Sequence, residues 1–110
     1  MKVNLFNKKT IQDYTDGHPA GRSPFDHWLT VIKYADWDDP DDIKKTFGTA
    51  DLLGNGSARV IFNIGGNNYR LIAKYYFGQE SVDLFVKWIG THFEYNKLCE
   101  NLSQFDVDDC

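Results

Sequence analysis

The sequence contains no apolar run close to the roughly 20 residues that a membrane-spanning helix needs. Its first nine residues also lack a long apolar stretch, so we expect no secretory signal peptide. Cysteine occurs only twice, at Cys99 and Cys110, and this spacing fits neither a disulfide scaffold nor a metal-binding motif. We therefore expect a reduced, cytoplasmic protein that does not engage membranes.

Positive charge is also scarce. The chain has 12 Lys and Arg against 16 Asp and Glu, a formal net charge of −4, which argues against a protein that binds nucleic acid over its whole surface. The acidity is peripheral, because residues 36–42 hold five aspartates and the segment after Leu98 holds four more acids. Between Gly54 and Leu98 five bases are set against three acids, so the middle of the chain can carry a basic patch.

The length and composition fit one globular domain. The 110 residues are 42% hydrophobic and 25% charged, which is ordinary for a domain with its own core. We expect a single domain over residues 1–110, with the acidic tail from about 103 to 110 frayed and residues 106–110 dispensable for activity.

The first half of the chain indicates a short strand followed by helices. Met1–Phe6 alternates weakly like a strand, and Ile11 and Tyr14 are spaced as in a short helix. A hydroxyl cap at Ser23 predicts the start of a longer helix. Asp39 and Pro40 predict another helix, and the surrounding aspartates favour capping and solvation, with a metal site as the alternative.

From Arg59 onward the apolar period changes to two, which is typical of strands. Strands are predicted over residues 59–64, 69–77 and 82–89, and the glycines at 65 and 66 supply a tight hairpin. Thr91 and Glu94 form the capping box of a short C-terminal helix. The sequence thus predicts an α+β fold, with the N-terminal helices packed on an antiparallel sheet.

The candidate functional residues lie in these strands and in the helix that follows them. His92 occupies the first turn of the last helix, where backbone N–H groups favour an anion, and Tyr95 follows one turn later. Arg70 and Lys74 project from one face of the second strand and suit contact with phosphates. The alternative is that these side chains are structural or merely solvated. No metal or cofactor motif occurs, so an enzyme here is most simply a metal-free acid–base catalyst without a cofactor.

Two segments carry a resemblance to a known family. Residues 62–71 read Phe-Asn-Ile-Gly-Gly-Asn-Asn-Tyr-Arg-Leu, and residues 90–95 read Gly-Thr-His-Phe-Glu-Tyr. With their flanks, from about Ser23 to Leu98, they resemble the HigB toxins of type II toxin–antitoxin systems, which have the RelE-like fold. Asn68 stands where that family often has a lysine, and Asn96 where an aspartate is usual.

The resemblance implies an endoribonuclease that cleaves mRNA in the ribosomal A site and is silenced by a HigA-type helix-turn-helix antitoxin. Contact with DNA would then arise only indirectly, through the antitoxin complex. In such enzymes the 2′-hydroxyl of the RNA attacks the adjacent phosphate without a metal. Two alternatives remain open: a non-catalytic module of this fold that binds an antitoxin-like partner, and a domain that binds a small anion.

The resemblance also implies roles for individual residues. His92 and Tyr95 would give acid–base help, while Arg70 and Lys74 would stabilise the phosphate. A further set is expected to contact RNA without taking part in the chemistry: Arg59, Asn67 and Lys87. We expect the four residues of the reaction to converge on one shallow cleft, with Arg70 and His92 facing solvent.

Overall fold

The computed structural model describes residues 1–54, 56–101, 103–105 and 107. The chain begins with a strand and three helices, continues into four strands and closes with a helix. The elements are β1 (Lys2–Phe6), α1 (Lys8–Gly17), α2 (Arg22–Lys33), α3 (Asp41–Thr46), β2 (Asp51–Leu52), β3 (Arg59–Ile64), β4 (Tyr69–Phe77), β5 (Ser81–Thr91) and α4 (His92–Glu100). The predicted α+β class and the meander of β3, β4 and β5 are confirmed.

The strands form one sheet in the order β1-β5-β4-β3-β2. The meander is antiparallel, whereas β1 lies at the edge and runs parallel to β5, with Val3 opposite Val82. A parallel pair requires a long connection, and here that connection contains the helices α1 to α3 and three strands. The sheet is therefore antiparallel except at this edge.

Both faces of the sheet are covered around β3, which explains why β3 is buried almost throughout. The first face packs against α1, α2 and α3 in a core that includes Phe25, Trp28 and Phe62. The second face has a smaller cluster of Ile61, Ile72 and Trp88, covered by side chains of α4 and by Val107. The helix that carries His92 is thus held on the second face.

Two of the three helix starts that were predicted from capping signals agree with the structure. The capping box of Thr91 and Glu94 is present at α4, and Asp39 accepts a hydrogen bond from the Asp42 N–H at 3.3 Å at the start of α3. The predicted Ser23 cap is wrong, because α2 begins one residue earlier, at Arg22, and has no side-chain cap. The 3₁₀ turn Pro19–Gly21 leads directly into α2, so Ser23 already lies within its first turn.

The segment after α4 is held against the sheet by Arg59. The Arg59 side chain is buried, and its Nη1 donates to the carbonyl oxygen of Val107 at 2.7 Å and to that of Gln104 at 3.5 Å. Ser103–Phe105 forms a 3₁₀ turn within the segment expected to fray from about residue 103, and the fraying itself stays a prediction. Residues 106 and 108–110 lie outside the described residues. The placement of Arg59 does not support the expectation that it contacts RNA.

We expect the substitution Arg59→Met to lower the free energy of unfolding by about 1–3 kcal/mol, because hydrogen bonds from a charged donor are lost while the apolar stem is kept. Urea denaturation measures this. The control is Arg22→Met, since Arg22 forms an exposed ion pair with Asp16 and such pairs contribute less than about 1 kcal/mol. Equal stability of the two variants would contradict the anchoring role of Arg59.

Candidate active site

The strand register brings the start of α4 beside the start of β4. Tyr69 pairs with Thr91 and Arg70 with Gly90, and the His92 N–H donates to the Asn68 carbonyl oxygen at 3.1 Å. Arg70 Nη2 consequently lies 2.9 Å from His92 Nδ1. Two of the residues expected to carry the chemistry are therefore in direct contact.

This contact defines which ring nitrogen of neutral His92 carries the proton. A guanidinium can only donate hydrogen bonds, so Nδ1 must accept and neutral His92 carries its proton on Nε2. Asn96 Nδ2 lies 3.4 Å from that Nε2, and a half-turn of the amide would present its oxygen as the acceptor. The His92 side chain is exposed, so a ligand can reach the imidazole from solvent.

Arg70 is fixed by several partners. Its side chain is only 7% exposed, although solvent exposure was expected. Nη1 donates to the Tyr69 carbonyl oxygen at 3.1 Å and Nη2 to Asn67 Oδ1 at 3.3 Å. With the contact to His92, these bonds use three of the five guanidinium N–H groups. Within the part of the chain that the structure describes, the other two N–H groups are left to bind an anion.

Asn67 owes its position to the hairpin turn. Gly65 and Gly66 both have φ near +66°, a conformation that glycine adopts without a steric penalty. The turn directs Asn67 back toward Arg70 while leaving Asn67 exposed. Its contact with Arg70 places this expected RNA contact next to the Arg70–His92 pair.

Tyr95 lies one turn along α4 and is half-buried, with its ring centroid 6.2 Å from that of Trp88. Burial raises its pKa above the usual range, and a hydrogen bond with Cys99 adds to this effect, while Arg70 acts in the opposite direction. At neutral pH the phenol therefore keeps its proton. Tyr95 is suited to donate a hydrogen bond and is not suited to act as a base.

The structure does not bring Lys74 to the Arg70–His92 pair. Lys74 lies four residues farther along β4, a distance of roughly 13 Å at the rise of a β-strand. It lines a separate depression of about 480 Å³ together with Lys87 and Phe85. Lys74 and Lys87 thus line the same depression on the sheet, away from the Arg70–His92 pair.

A feature not anticipated from the sequence is the close packing of Trp88 on Gly90. A Cβ added to Gly90 would lie 2.3 Å from the Trp88 ring, so the indole lies across Gly90, which is the cross-strand partner of Arg70. A register shift opposite Ile72 and Ala73 turns Lys87 and Trp88 toward the same face. An isolated glycine within a strand often marks a place where another group approaches the backbone closely. Gly90 was therefore the signal in the sequence for this packing.

One further depression lies apart from the pair. A larger depression of about 580 Å³ lies between α2, α3 and the β3–β4 hairpin, and none of the expected site residues lines it. In the described part of the chain, no group of three or more His, Cys, Asp or Glu side chains is placed to hold a metal ion. None of the described helices is long and apolar enough to cross a membrane.

Comparison with known proteins adds the following. A model of the HigB toxin family, described as the RelE-like toxic component of a toxin–antitoxin system, matches residues 21–98. The chain is 27% identical over 96 residues to the mRNA interferase HigB of Escherichia coli O6:H1, covering 87% of this chain and 91% of that protein. It is 24% identical over 94 residues to the mRNA interferase toxin HigB of Escherichia coli K12, covering 86% and 88%.

Proposed function

Since this chain belongs to the HigB family, the RelE-like toxic components of toxin–antitoxin systems, we propose that it is an endoribonuclease that cleaves mRNA. The observation that carries this proposal is the contact between Arg70 and His92 at the exposed start of α4. A cation and an imidazole side by side are what phosphoryl transfer from RNA requires, because one binds the phosphate and the other moves a proton. The relatives named mRNA interferase give the substrate class.

The proposed reaction uses the RNA itself as nucleophile. The 2′-hydroxyl oxygen attacks the neighbouring phosphorus, the bond from phosphorus to the 5′-oxygen breaks, and the products are a 2′,3′-cyclic phosphate and a 5′-hydroxyl. One proton leaves the 2′-hydroxyl and one is delivered to the 5′-oxygen. No step needs an oxidant, a reductant or a covalent enzyme intermediate.

Each residue of the site has a place in this scheme. The phosphate competes for the Arg70 guanidinium. When Arg70 turns from His92 to the phosphate, Nδ1 is free to accept the proton of the 2′-hydroxyl, and the imidazolium then delivers a proton to the 5′-oxygen. Tyr95 donates a hydrogen bond, in keeping with its raised pKa. Asn67 orients Arg70 and contacts the RNA, whereas Lys74 and Lys87 lie too far away for the reacting phosphate and contact RNA elsewhere.

The proposal extends to the biological setting. We assign the ribosomal A site as the place of cleavage, a HigA-type helix-turn-helix protein as the antitoxin, and the cytoplasm as the compartment. With a net charge of −4, the chain has no excess of positive charge with which to hold free RNA, and the ribosome would present the message instead. Contact with DNA would arise only through the antitoxin complex.

A cleavage assay tests the proposal. Purified protein is incubated with mRNA alone, with translating ribosomes, and with ribosomes plus a HigA-type antitoxin. We expect fragments with a 5′-hydroxyl in the ribosomal reaction and their loss when the antitoxin is added. Tight antitoxin binding without any cleavage would contradict the enzyme and would favour a non-catalytic interaction module.

A further inference from the structure

The strand β1 lies at the edge of the sheet, and part of its backbone has no partner. The Trp37 N–H donates to the Met1 carbonyl oxygen at 3.0 Å, on the side of β1 that faces away from β5. Backbone groups two residues apart in a strand point to the same side, so those of Val3 and Leu5 also point away from β5. Within the described residues, no backbone hydrogen bond engages the Val3 carbonyl or either backbone group of Leu5 there. The edge is therefore open to a further strand.

A groove of about 400 Å³ follows this open edge, between β1 and α2. Its lining is apolar at the centre, where Val3 and Leu5 of the strand meet Leu29 of the helix. Extended peptides bind at such places, because backbone hydrogen bonds to the edge supply affinity while alternate side chains enter the groove. A polypeptide carries N–H and carbonyl groups at the spacing of a strand, and a nucleic acid does not, so the open edge favours a peptide.

Three lysines border the groove. Lys2, Lys8 and Lys33 are exposed and line it together with Asp26. None of the three lysines forms an ion pair with another described residue. This local positive charge contrasts with the net charge of −4 and favours an acidic segment. It also disfavours a second copy of the same strand, because lysines on an edge oppose pairing between like edges.

The acids at the end of the groove do not cancel this charge. Asp36 lies opposite Lys2 on the outer side of β1, and the Met1 ammonium forms ion pairs with both Asp36 and Asp38. That group carries one net negative charge, against two net positive charges in the lining of the groove. A segment that pairs along Leu5 therefore meets an edge that remains positive.

We propose that an extended, acidic segment of the antitoxin adds to the sheet at the outer edge of β1 and lies in this groove against α2. The proposal rests on the proposed function, because the toxin–antitoxin family supplies the protein partner. The Leu5 N–H donates to a carbonyl oxygen of the segment, and apolar side chains of the segment pack on Leu29. Carboxylates of the segment pair with Lys8 and Lys33.

The groove is remote from the proposed site of cleavage. The part of β5 that pairs with β1 covers residues 81–85, whereas His92 follows the end of β5. The residues between them span roughly 23 Å at the rise of a β-strand. The segment thus anchors the antitoxin without touching Arg70 or His92, and substitutions in the groove leave these two residues in place.

Amide hydrogen exchange at Leu5, followed by NMR on the toxin alone and on its complex with a HigA-type antitoxin, tests the strand pairing. We expect the Leu5 N–H to exchange at least roughly tenfold more slowly in the complex, because it gains a backbone acceptor. The Asn4 N–H, which points to β5, is the internal reference and should be protected in both states. Unchanged exchange at Leu5, or no binding of the antitoxin, would overturn the proposal. So would equal protection of Leu5 by a 2′-O-methyl oligoribonucleotide.

The double variant Lys8→Glu/Lys33→Glu tests the charge of the groove. We expect the antitoxin to bind this variant at least roughly tenfold more weakly at low salt, and the loss to shrink at high salt, because salt screens exposed charges. The matched control Lys44→Glu/Lys45→Glu changes the net charge equally on α3, which leads to β2 at the opposite edge of the sheet. Thermal melts confirm that both variants are folded. Equal losses of antitoxin binding would contradict a specific role of the groove.

Cleavage measured without antitoxin separates this proposal from the proposed function. The variant Lys8→Glu/Lys33→Glu should cleave mRNA on ribosomes at the rate of the Lys44→Glu/Lys45→Glu control. Protection of Leu5 by the antitoxin in a protein that cleaves no mRNA would refute the proposed function and retain the groove. Cleavage that the antitoxin silences while Leu5 stays unprotected would refute the groove and retain the proposed function.

Discussion

Replacing His92 by alanine is expected to lower the rate of ribosome-dependent mRNA cleavage by about 10²–10⁴-fold, the usual contribution of one acid–base group. The side chain is exposed, so the thermal melting temperature should stay close to that of the unsubstituted protein. Single-turnover cleavage on stalled ribosomes measures the chemical step. A purely structural His92 would give the opposite pattern, with activity kept and stability lost.

The matched control for this substitution is His27→Ala. His27 is also an exposed histidine on a helix, but it lies on α2, which packs against the first face of the sheet. We expect cleavage by this variant to be unchanged. If both histidine variants lost activity equally, the assignment of His92 to the reaction would be wrong.

Arg70 needs a milder change, because its side chain is buried and bonded to three neighbours. Arg70→Lys keeps one positive charge but cannot form the planar fork. We expect cleavage to fall sharply while binding of the antitoxin is kept, and a pull-down with the antitoxin monitors the latter. Loss of both would show that Arg70 acts on folding and not on the phosphate.

Gly90→Ala is expected to lower the free energy of unfolding by about 1–3 kcal/mol, the usual cost of overpacking. The added methyl group would meet the Trp88 ring at 2.3 Å, and the ring is held among Ile61, Ile72 and Tyr95. Displacement of the indole should shift α4 and so reduce cleavage as well. Chemical denaturation and the ribosomal assay measure the two effects.

Two comparisons make this prediction specific. Gly48 has no neighbouring atom within 4 Å of an added Cβ, so Gly48→Ala should be close to neutral. In a Trp88→Leu background the smaller side chain gives room, and Gly90→Ala should then cost less than it does alone, since contacting residues are not additive. An equal cost in both backgrounds would refute the steric explanation.

The elements predicted correctly from the sequence are those specified by local signals. The β3–β4 hairpin follows from a period of two on either side of Gly65 and Gly66, whose positive φ angles the structure shows. The start of α4 follows from the capping box of Thr91 and Glu94. Because these two signals mark the start of β4 and the end of β5, which pair with each other, the proximity of Arg70 and His92 could be anticipated from the sequence.

What could not be predicted depends on partners far away in the chain. Nothing local to Met1–Phe6 indicates pairing with β5, and nothing near Arg59 shows that its guanidinium would bind carbonyls at Gln104 and Val107. Lys74 was placed on the correct face of β4. Lys74 is nevertheless separated from Arg70 by four residues of strand. A pattern that places two side chains on one face does not show whether both reach the same site.

The parallel edge pairing has a consequence for synthesis. β1 leaves the ribosome before the other described strands, yet its partner β5 follows about 80 residues later, as the contact of Asn4 with Asp83 shows. Pairings of such long range slow folding, and His92 is translated immediately after β5. A nascent chain therefore completes its edge pairing and gains the proposed acid–base residue at the same stage of synthesis.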